Sequence, residues 1–277
     1  MHAKLQRRIQ RYGWDKAASV YEDGWRDSLR DAQSCLLQMA NAQPGESVLD
    51  MACGTGLVTF PLANAVGKTG HVVATDISER MIDIMQEEAS LRGHTQIDAR
   101  RADAETQDGL DDNQFDLVTC ALGLMYVPNP LQAMSEALRL LKPGGRAVFA
   151  VWGARKSCGW ADIFPIVDAR VESDVCPMFF RLGTGETLAC EMEEAGFHQI
   201  GQRNIETVLP YDDDQSALQA AFVGGPVALA YDRFDDATRK AAHDDYLQSI
   251  APYRTEKGYR IPGSFVVCHG TKPMMAS

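Results

Sequence analysis

The residues best suited to chemistry form a short acidic and glycine-rich segment, Val48 to Gly56, in a chain of 277 residues. The segment begins with two apolar residues, which predict the end of a buried strand. Gly54 and Gly56 then permit a tight turn that a ligand can approach closely. Residues 57–66 have helical character, so the turn opens a helix. A buried strand that passes through a glycine turn into a helix predicts a nucleotide-binding site.

Two features of this turn favour one kind of nucleotide. A dinucleotide fingerprint requires glycine or alanine three residues after the second glycine, where this chain has Thr59. Asp50 precedes the glycines, and its charge would repel a pyrophosphate and attract a cation. The turn therefore favours a positively charged ligand. A purely structural alternative stays open, because glycine turns are common and an acid at a strand end can cap a helix.

Four further segments follow in order along the chain. They are Val72–Asp76, Ala102–Ala104 after a predicted strand Ile97–Arg101, Phe115–Cys120, and Leu140–Gly145. Together with Asp50–Gly56 they resemble the motifs of class I S-adenosylmethionine-dependent methyltransferases. The resemblance covers residues 46–152 strongly, and outside this range it extends more weakly to the ubiquinone and menaquinone methyltransferase-like group, also called methyltransferase type 11.

The resemblance implies a cofactor and the residues that bind it. The cofactor is S-adenosylmethionine, with S-adenosylhomocysteine as its product. Asp76 is implied to bind the ribose hydroxyls, and Asp103 the adenine amino group. The full set of cofactor-binding residues that we predict is Tyr21, Asp50, Ala52, Gly54, Thr55, Gly56, Asp76, Ile77, Met81, Ala102, Asp103, Ala104, Cys120 and Ala121. No set of metal ligands is predicted.

Strands and helices alternate through the middle of the chain, which predicts an α/β fold with a doubly wound parallel sheet. The resemblance implies a Rossmann-like sheet of seven strands whose last strand is antiparallel. We expect four parts: an N-terminal helical lid (1–45), a cofactor-binding core (46–152), an inserted lid segment (153–183), and a C-terminal part that completes the sheet and carries a helical acceptor-site insertion (184–277).

The N-terminal segment Leu5–Ala40 is predicted to be helical with a break at Gly13. Aromatic residues gather near this break, and an aromatic face could contact a sulfonium by cation–π attraction. Tyr21 is the residue that we choose for this contact. For Trp14 and Trp25, packing onto the sheet is an equally good interpretation.

Methyl transfer from a sulfonium is an in-line displacement, which mainly requires a positioned acceptor and the exclusion of water. A hydroxyl acceptor would also benefit from a base. Ligands bind at the carboxyl ends of parallel strands, whereas four histidines are predicted at the opposite edge: His71, His94, His198 and His269. His243 and Tyr126 remain as catalytic candidates. Tyr126 follows the fourth strand and could orient a phenolic or enolic acceptor, although packing also explains it. Asp168 and Arg170 form a weaker polar candidate.

Composition limits the class of acceptor. A formal net charge of −11 disfavours nucleic acid as a partner, apart from a local basic patch between Lys4 and Arg11. No apolar run is long enough to span a membrane and no secretory signal is present, so we expect a cytoplasmic protein, with a homodimer as an open possibility.

We expect a small, partly apolar acceptor such as a phenol, quinol or polyketide-like ring, methylated on oxygen or carbon. Its expected pocket comprises Leu122, Leu124, Met125, Ile163, Phe164, Ile166, Met178, Phe179 and Phe180.

Two other functions remain open from the sequence. Cys158 and Cys176 could bind a soft element, which would make the protein a thiol-assisted metalloid methyltransferase of the arsenite type. Structural, reduced thiols are the simpler interpretation, because neither spacing nor neighbouring charge marks these residues as reactive. Alternatively, the protein could bind the cofactor or a partner without catalysis.

Overall fold

The structure is a computed structural model that describes residues 3–171 and 178–274. Its helices are α1 (Ala3–Ala17), α2 (Tyr21–Ala40), α3 (Thr59–Val66), α4 (Glu79–Leu91), α5 (Pro130–Leu140), α6 (Ile163–Asp168), α7 (Thr187–Glu194), α8 (Asp214–Leu218), α9 (Ala228–Tyr231) and α10 (Asp236–Ile250). Its strands are β1 (Ser47–Met51), β2 (His71–Asp76), β3 (Ile97–Arg101), β4 (Phe115–Ala121), β5 (Leu141–Trp152), β6 (His198–Tyr211), β7 (Arg254–Thr255) and β8 (Gly258–Thr271).

The strands form one sheet in the order β3-β2-β1-β4-β5-β8-β6. The first five strands in this order are parallel, and β8 runs antiparallel to both of its neighbours. The short β7 pairs only with β8 and adds a hairpin at one end. This sheet confirms the predicted doubly wound fold and its antiparallel last strand. The strand order reverses between β1 and β4, where α/β sheets bind their ligands.

Helix α2 belongs to the packed body of the protein. Trp25, Leu29 and Leu36 lie on its buried side, and they pack into the clusters that cover the sheet. Their spacing of four and seven residues places them on one face of the helix. Trp25 therefore packs into the core as predicted, and both N-terminal helices contribute residues to the cavity described below.

The predicted break in the N-terminal helix was wrong. The helix is interrupted by a 3₁₀ turn at Ala18–Val20, whereas Gly13 lies inside α1. A Cβ at Gly13 would lie 3.7 Å from the Cβ of Leu229, which is an ordinary contact with α9. In the inserted segment, helix α6 begins only at Ile163, since residues 159–162 form turns that bury the Trp160 ring.

In the described ranges, no helix combines the length and the apolar character that crossing a membrane requires.

The packing of Gly123 after β4 gives a test of the fold. A Cβ at this position would lie 2.4 Å from the Cβ of Ala52 and 2.9 Å from the Sγ of Cys120, which is closer than such atoms approach one another. We expect Gly123→Ala to lower the free energy of unfolding by about 1–3 kcal/mol, measured by urea denaturation. Gly13→Ala is the control: its Cβ makes an ordinary contact inside a helix, so no loss is expected. Equal stability of wild type and Gly123→Ala would contradict this packing.

Candidate cofactor and acceptor site

A large cavity lies at the carboxyl edge of the strands β1 to β5, beside helices α1 and α2. It encloses about 970 Å³ of atom-free space, including its mouth to solvent. Eleven of the predicted site residues line it: Tyr21, Ala52, Gly54, Asp76, Ile77, Met81, Ala102, Asp103, Ala104, Ala121 and Tyr126. The loops after four different strands therefore meet where the strand order predicts a ligand.

The loop after β1 bends sharply beside this cavity. Ala52, Gly54 and Gly56 have φ angles of 53°, 54° and 97°, in the left-handed region that favours glycine. Gly56 also has no space for a side chain, because a Cβ there would lie 2.6 Å from the Cε2 atom of Phe60. The loop brings backbone to the cavity wall at Gly54, while Gly56 packs against α3 and does not line the cavity.

Asp50 is a buried residue of β1 that lies next to this loop. Its carboxylate is 1% exposed and accepts hydrogen bonds from the hydroxyls of Thr59 (2.6 Å) and Thr119 (2.8 Å). Burial raises the pKa of Asp50 to about 6, against the lowering effect of the two threonine hydroxyls. Asp50 is absent from the cavity wall, and its carboxylate ties β1 to β4 and α3; its contact with the cofactor stays a prediction.

Asp76, at the end of β2, faces the cavity. Its two oxygens accept hydrogen bonds from the backbone N–H groups of Gly54 (2.9 Å) and Ser78 (2.8 Å). Burial, and then the nearby charge of Asp15, raise the pKa of Asp76 to about 6. A carboxylate of this kind is stabilised by hydroxyl donors, because hydrogen bonds favour its ionised form. The ribose hydroxyls of S-adenosylmethionine fit this requirement.

Asp103, after β3, is already part of an ion cluster with α1. Its Oδ2 atom lies 2.8 Å from the Nε atom of Arg7, and its Oδ1 accepts a hydrogen bond from the backbone N–H of Glu105. The Arg7 guanidinium also pairs with the carboxylate of Glu105. Neither Arg7 nor Glu105 was singled out from the sequence, because an arginine in a basic helical segment resembles a solvated charge. The basic patch predicted between Lys4 and Arg11 is thus partly engaged inside the protein.

Helix α1 presents three sides to the rest of the chain. Arg7, Gln10 and Trp14, at spacings of three and four residues, line the cavity. Asp15 accepts hydrogen bonds from the Ser78 hydroxyl (2.6 Å) and the Arg80 backbone N–H (3.2 Å) at the start of α4. On the remaining side α1 packs against α9. Helix α1 therefore forms one wall of the cavity, and we call it the lid.

Tyr21 lies directly below this lid, beside the glycine loop. A Cβ on Gly54 would lie 3.9 Å from the Cε1 atom of its ring. Burial, and then the charge of Asp76, raise the pKa of Tyr21, so its phenol is neutral next to that carboxylate. The ring is placed where an aromatic contact with a sulfonium is sterically possible.

Two other predicted cofactor residues lie outside the cavity wall. Thr55 is buried, and its hydroxyl has no hydrogen-bond partner. Cys120 is buried behind Gly123, and burial followed by the charge of Asp50 raises its pKa to about 12. Cys120 is therefore a protonated, small apolar residue that fills the core, and its contact with the cofactor stays a prediction.

All four tryptophans of the chain line the cavity: Trp14, Trp25, Trp152 and Trp160. The ring centroids of Trp152 and Trp160 are 4.8 Å apart, and Trp25 lies 5.8 Å from Trp160. Trp14 packs edge-on to Tyr126, with centroids 5.1 Å apart. We call these four tryptophans and Tyr126 the aromatic chamber.

The acceptor pocket expected from the sequence differs from the aromatic chamber. Of its nine apolar residues only Leu122 lines the cavity, whereas Leu124, Met125, Ile163, Phe164 and Phe179 are buried in the core. Ile166 and Phe180 pack against that core, and Met178 is exposed. Trp152 was identifiable in principle, since it ends β5 at the ligand-binding edge. Trp160 was not, because only the turns of residues 159–162 bring it there.

His243, a predicted catalytic residue, lies away from the cavity. It is absent from the cavity wall, and its Nε2 atom lies 2.9 Å from the Tyr231 hydroxyl. The two rings stack with centroids 5.6 Å apart, and burial lowers the pKa of His243. Arg170 bonds the Ile166 carbonyl and pairs with Asp245, so it stabilises the helices; neither it nor Asp168 lines the cavity.

The thiol hypothesis also loses support. Cys158 is buried, with its Sγ atom 3.9 Å from the Ser264 carbonyl oxygen, and burial raises the pKa of its thiol. Cys176 lies outside the described residues. Within residues 3–171 and 178–274, no group of histidine, cysteine and carboxylate side chains could hold a metal ion.

The strand order and the loops around the cavity define the class I methyltransferase fold. Residues 48–145 match the family model described as a methyltransferase domain. A ubiquinone/menaquinone biosynthesis C-methyltransferase of Shewanella pealeana, UbiE, is 30% identical over 184 residues, which are 61% of this chain and 73% of that protein. The chain belongs to the S-adenosylmethionine-dependent methyltransferases of this ubiquinone and menaquinone type.

Other relatives match over shorter parts. A demethylmenaquinone methyltransferase of Shouchella clausii is 38% identical over 112 residues, which are 40% of this chain. The match spans about half of that relative, 47% of its length. Among solved structures, a Haemonchus contortus phosphoethanolamine N-methyltransferase in complex with S-adenosyl-L-methionine superposes with a TM-score of 0.61 at 16% identity, over 94% of this chain and 57% of that chain. This last likeness supports the fold.

Asp76 provides the most direct test of the cofactor site. We expect Asp76→Ala to raise the Kd of S-adenosylhomocysteine at least about 30-fold, because a hydrogen bond to a charged group contributes roughly 2 kcal/mol. Isothermal titration calorimetry measures this change. Asp116→Ala is the control, since Asp116 lies at the opposite end of the sheet and pairs with Lys142. Unchanged affinity in Asp76→Ala would exclude this residue from the site.

The raised pKa of Asp76 predicts a pH dependence of binding. The ionised carboxylate is the better acceptor for ribose hydroxyls, so protonation below a pKa of about 6 weakens binding and binding releases a proton. We expect the Kd of S-adenosylhomocysteine to rise about fourfold from about pH 7.5 to about pH 5.5, with less change in Asp76→Asn. Tighter binding at the lower pH would contradict this sign.

Proposed function

We propose that this protein transfers a methyl group from S-adenosylmethionine to a ring carbon of a small, planar, oxygenated aromatic acceptor such as a quinol. The observation that carries the proposal is the aromatic chamber, which adjoins the acidic loops of the same cavity. The Shewanella pealeana relative, named as a C-methyltransferase of ubiquinone and menaquinone biosynthesis, supports carbon as the methylated atom. O-methylation of a phenol is the second outcome that such a chamber allows.

One part of the cavity is lined by Asp76 and Asp103, and we call it the acidic half. This half suits the cofactor. Asp76 would accept from the ribose hydroxyls, and Asp103 from the adenine amino group. Ile77, Met81 and Ala104 supply an apolar wall on which a flat base can pack. The carboxylates of Asp76 and Asp103 also favour a cationic ligand at this edge.

The aromatic chamber suits a flat acceptor. Indole and phenol rings prefer offset-stacked or edge-to-face partners, so Trp14 and Tyr126 would fix the plane of an aromatic ring and leave little space for water. Pro128 and Pro226 add rigid apolar surface to the wall. Little polar surface is available there to hold a charged or sugar-like acceptor.

The chemistry requires positioning more than acid–base catalysis. S-adenosylmethionine supplies an electrophilic methyl group on a sulfonium, with S-adenosylhomocysteine as the leaving group. A ring carbon would take this methyl group as S-adenosylhomocysteine leaves, and the proton displaced from that carbon would pass to solvent. The residues of the chamber would hold the ring in line and exclude water. The Tyr126 hydroxyl would orient a ring oxygen.

The non-catalytic alternative makes a different prediction, namely cofactor binding without a methylated product. To separate catalysis from binding alone, the protein is incubated with methyl-labelled S-adenosylmethionine and one of two acceptor sets. The aromatic set contains chemically reduced quinols and phenols, and the non-aromatic set contains alcohols and amines. We expect a labelled ring-methyl product from the aromatic set, detected by mass spectrometry and located by NMR. Labelled product from the non-aromatic set alone would contradict the proposal.

Trp14 tests the acceptor half separately from the cofactor half. We expect Trp14→Leu to lower kcat/KM for an aromatic acceptor up to about tenfold, because an aromatic pair contributes about 0.5–1.5 kcal/mol beyond its buried area. The Kd of S-adenosylhomocysteine should change much less. Tyr12→Leu is the matched control, since Tyr12 is an exposed aromatic residue on the same helix and does not line the cavity. Equal losses in both variants would contradict the role of Trp14.

A further inference from the structure

Glu105 is a buried acid that no step of the proposed chemistry uses. Its side chain is 1% exposed, and it lies two residues after Asp103. One carboxylate oxygen pairs with the Arg7 guanidinium from α1, and the other accepts a hydrogen bond from the backbone N–H of Asn129 at 2.5 Å. A carboxylate this deeply buried is costly unless its charge is compensated. Arg7 supplies that compensation from outside the sheet.

Arg7 connects two acids at once. Its Nε atom lies 2.8 Å from Asp103, while its terminal nitrogen pairs with Glu105. The planar guanidinium suits such a double contact, which a lysine ammonium could not reproduce in the same way. Arg7 is on the side of α1 that lines the cavity, so the double contact joins α1 to the cavity wall.

Glu105 also reaches the acceptor side of the cavity. Asn129 caps α5 and directly follows the wall segment Tyr126–Pro128. Gln6, next to Arg7 on α1, donates a side-chain hydrogen bond to the Tyr126 carbonyl at 3.4 Å. The lid, the loop with Asp103 and the loop with Tyr126 therefore meet at Glu105.

The other charged contacts of α1 are more exposed. The partners in the pairs Arg11–Glu79 and Lys16–Asp232 include side chains exposed by half or more, where solvent screens the attraction. Because Glu105 is buried, loss of Arg7 would leave its charge uncompensated. The Arg7–Glu105 pair therefore contributes more to holding α1 in place than the two exposed pairs do.

We infer that Arg7 and Glu105 are positioning residues that couple closure of the α1 lid to binding of the adenosine half of the cofactor and to the placement of Tyr126. The inference rests on the proposed function, because it assigns Asp103 to the adenine subsite. Arg7 holds Asp103 and Glu105 together, and Glu105 holds the start of α5. Loss of Arg7 removes the ion pairs of α1 with both acids, and loss of the Glu105 charge removes the pair that links α1 to the start of α5.

The test is a double-mutant cycle on ligand binding. The Kd of S-adenosylhomocysteine is measured by calorimetry for wild type, Arg7→Ala, Glu105→Gln and the double variant. We expect each single variant to weaken binding at least about tenfold, and the double variant to be no weaker than the worse single one, since both remove the same interaction. Arg7→Lys should fall between wild type and Arg7→Ala. Arg8→Ala, with the same charge change at an exposed neighbouring position, should bind like wild type.

A second measurement reports on the lid itself. Without ligand, trypsin should cleave after Lys16 faster in Arg7→Ala than in wild type or Arg8→Ala, and S-adenosylhomocysteine should protect wild type more than Arg7→Ala. Because Glu105 is buried, thermal unfolding is checked first; if Glu105→Gln does not fold, the Arg7 variants and the protease assay decide.

The outcomes separate the inference from the proposed function. If Arg7→Ala binds S-adenosylhomocysteine with the affinity of wild type and is cleaved at the same rate, the inference is overturned. The assignment of the cofactor site is unaffected by that result. Additive losses in the double variant would overturn the coupling of the two residues. Failure of wild type to bind S-adenosylhomocysteine would overturn the proposed function and the inference with it.

Discussion

Two buried carboxylates hold the turn on which the candidate site depends. Asp50 accepts hydroxyl hydrogen bonds from Thr59 and Thr119, which fixes β1 against α3 and β4. Asp76 accepts a backbone hydrogen bond from Gly54 and fixes the turn against the end of β2. Both acids are kept from water, and burial raises both pKa values to about 6. Of the two, Asp76 lines the cavity, so a ligand with hydroxyl donors would stabilise this buried acid.

The cavity combines two chemical surfaces that serve different halves of one reaction. Its acidic half is built by loops after β1, β2 and β3, and its aromatic half by the ends of β4 and β5 with the N-terminal helices. Helix α1 belongs to both halves, since Arg7 contacts Asp103 and Trp14 contacts Tyr126. A lid that touches both surfaces can make the shape of the acceptor space depend on the cofactor, and this dependence excludes water when both are bound.

The sequence predicted the fold and the loops that meet at the cavity, because both depend on local signals. Strand ends, glycine turns and the acids after β2 and β3 stand at regular positions along the chain, so Asp76 and Asp103 could be singled out directly. Other residues of the same segments, such as Asp50 and Cys120, do not line the cavity. The acceptor half depends on contacts between distant segments. Trp25 and Trp160 are 135 positions apart in the numbering and meet only through the packing of α2 and the turns after β5.

The most direct measurement is a crystal structure of the protein with S-adenosylhomocysteine. We expect the ribose hydroxyls within hydrogen-bond distance of Asp76, the adenine amino group beside Asp103, and the sulfur facing the aromatic chamber. Such a complex would place the methyl donor and the acceptor space in one continuous cavity. Ligand density elsewhere, or a sulfur turned away from Trp14 and Tyr126, would contradict the assignment of the two halves.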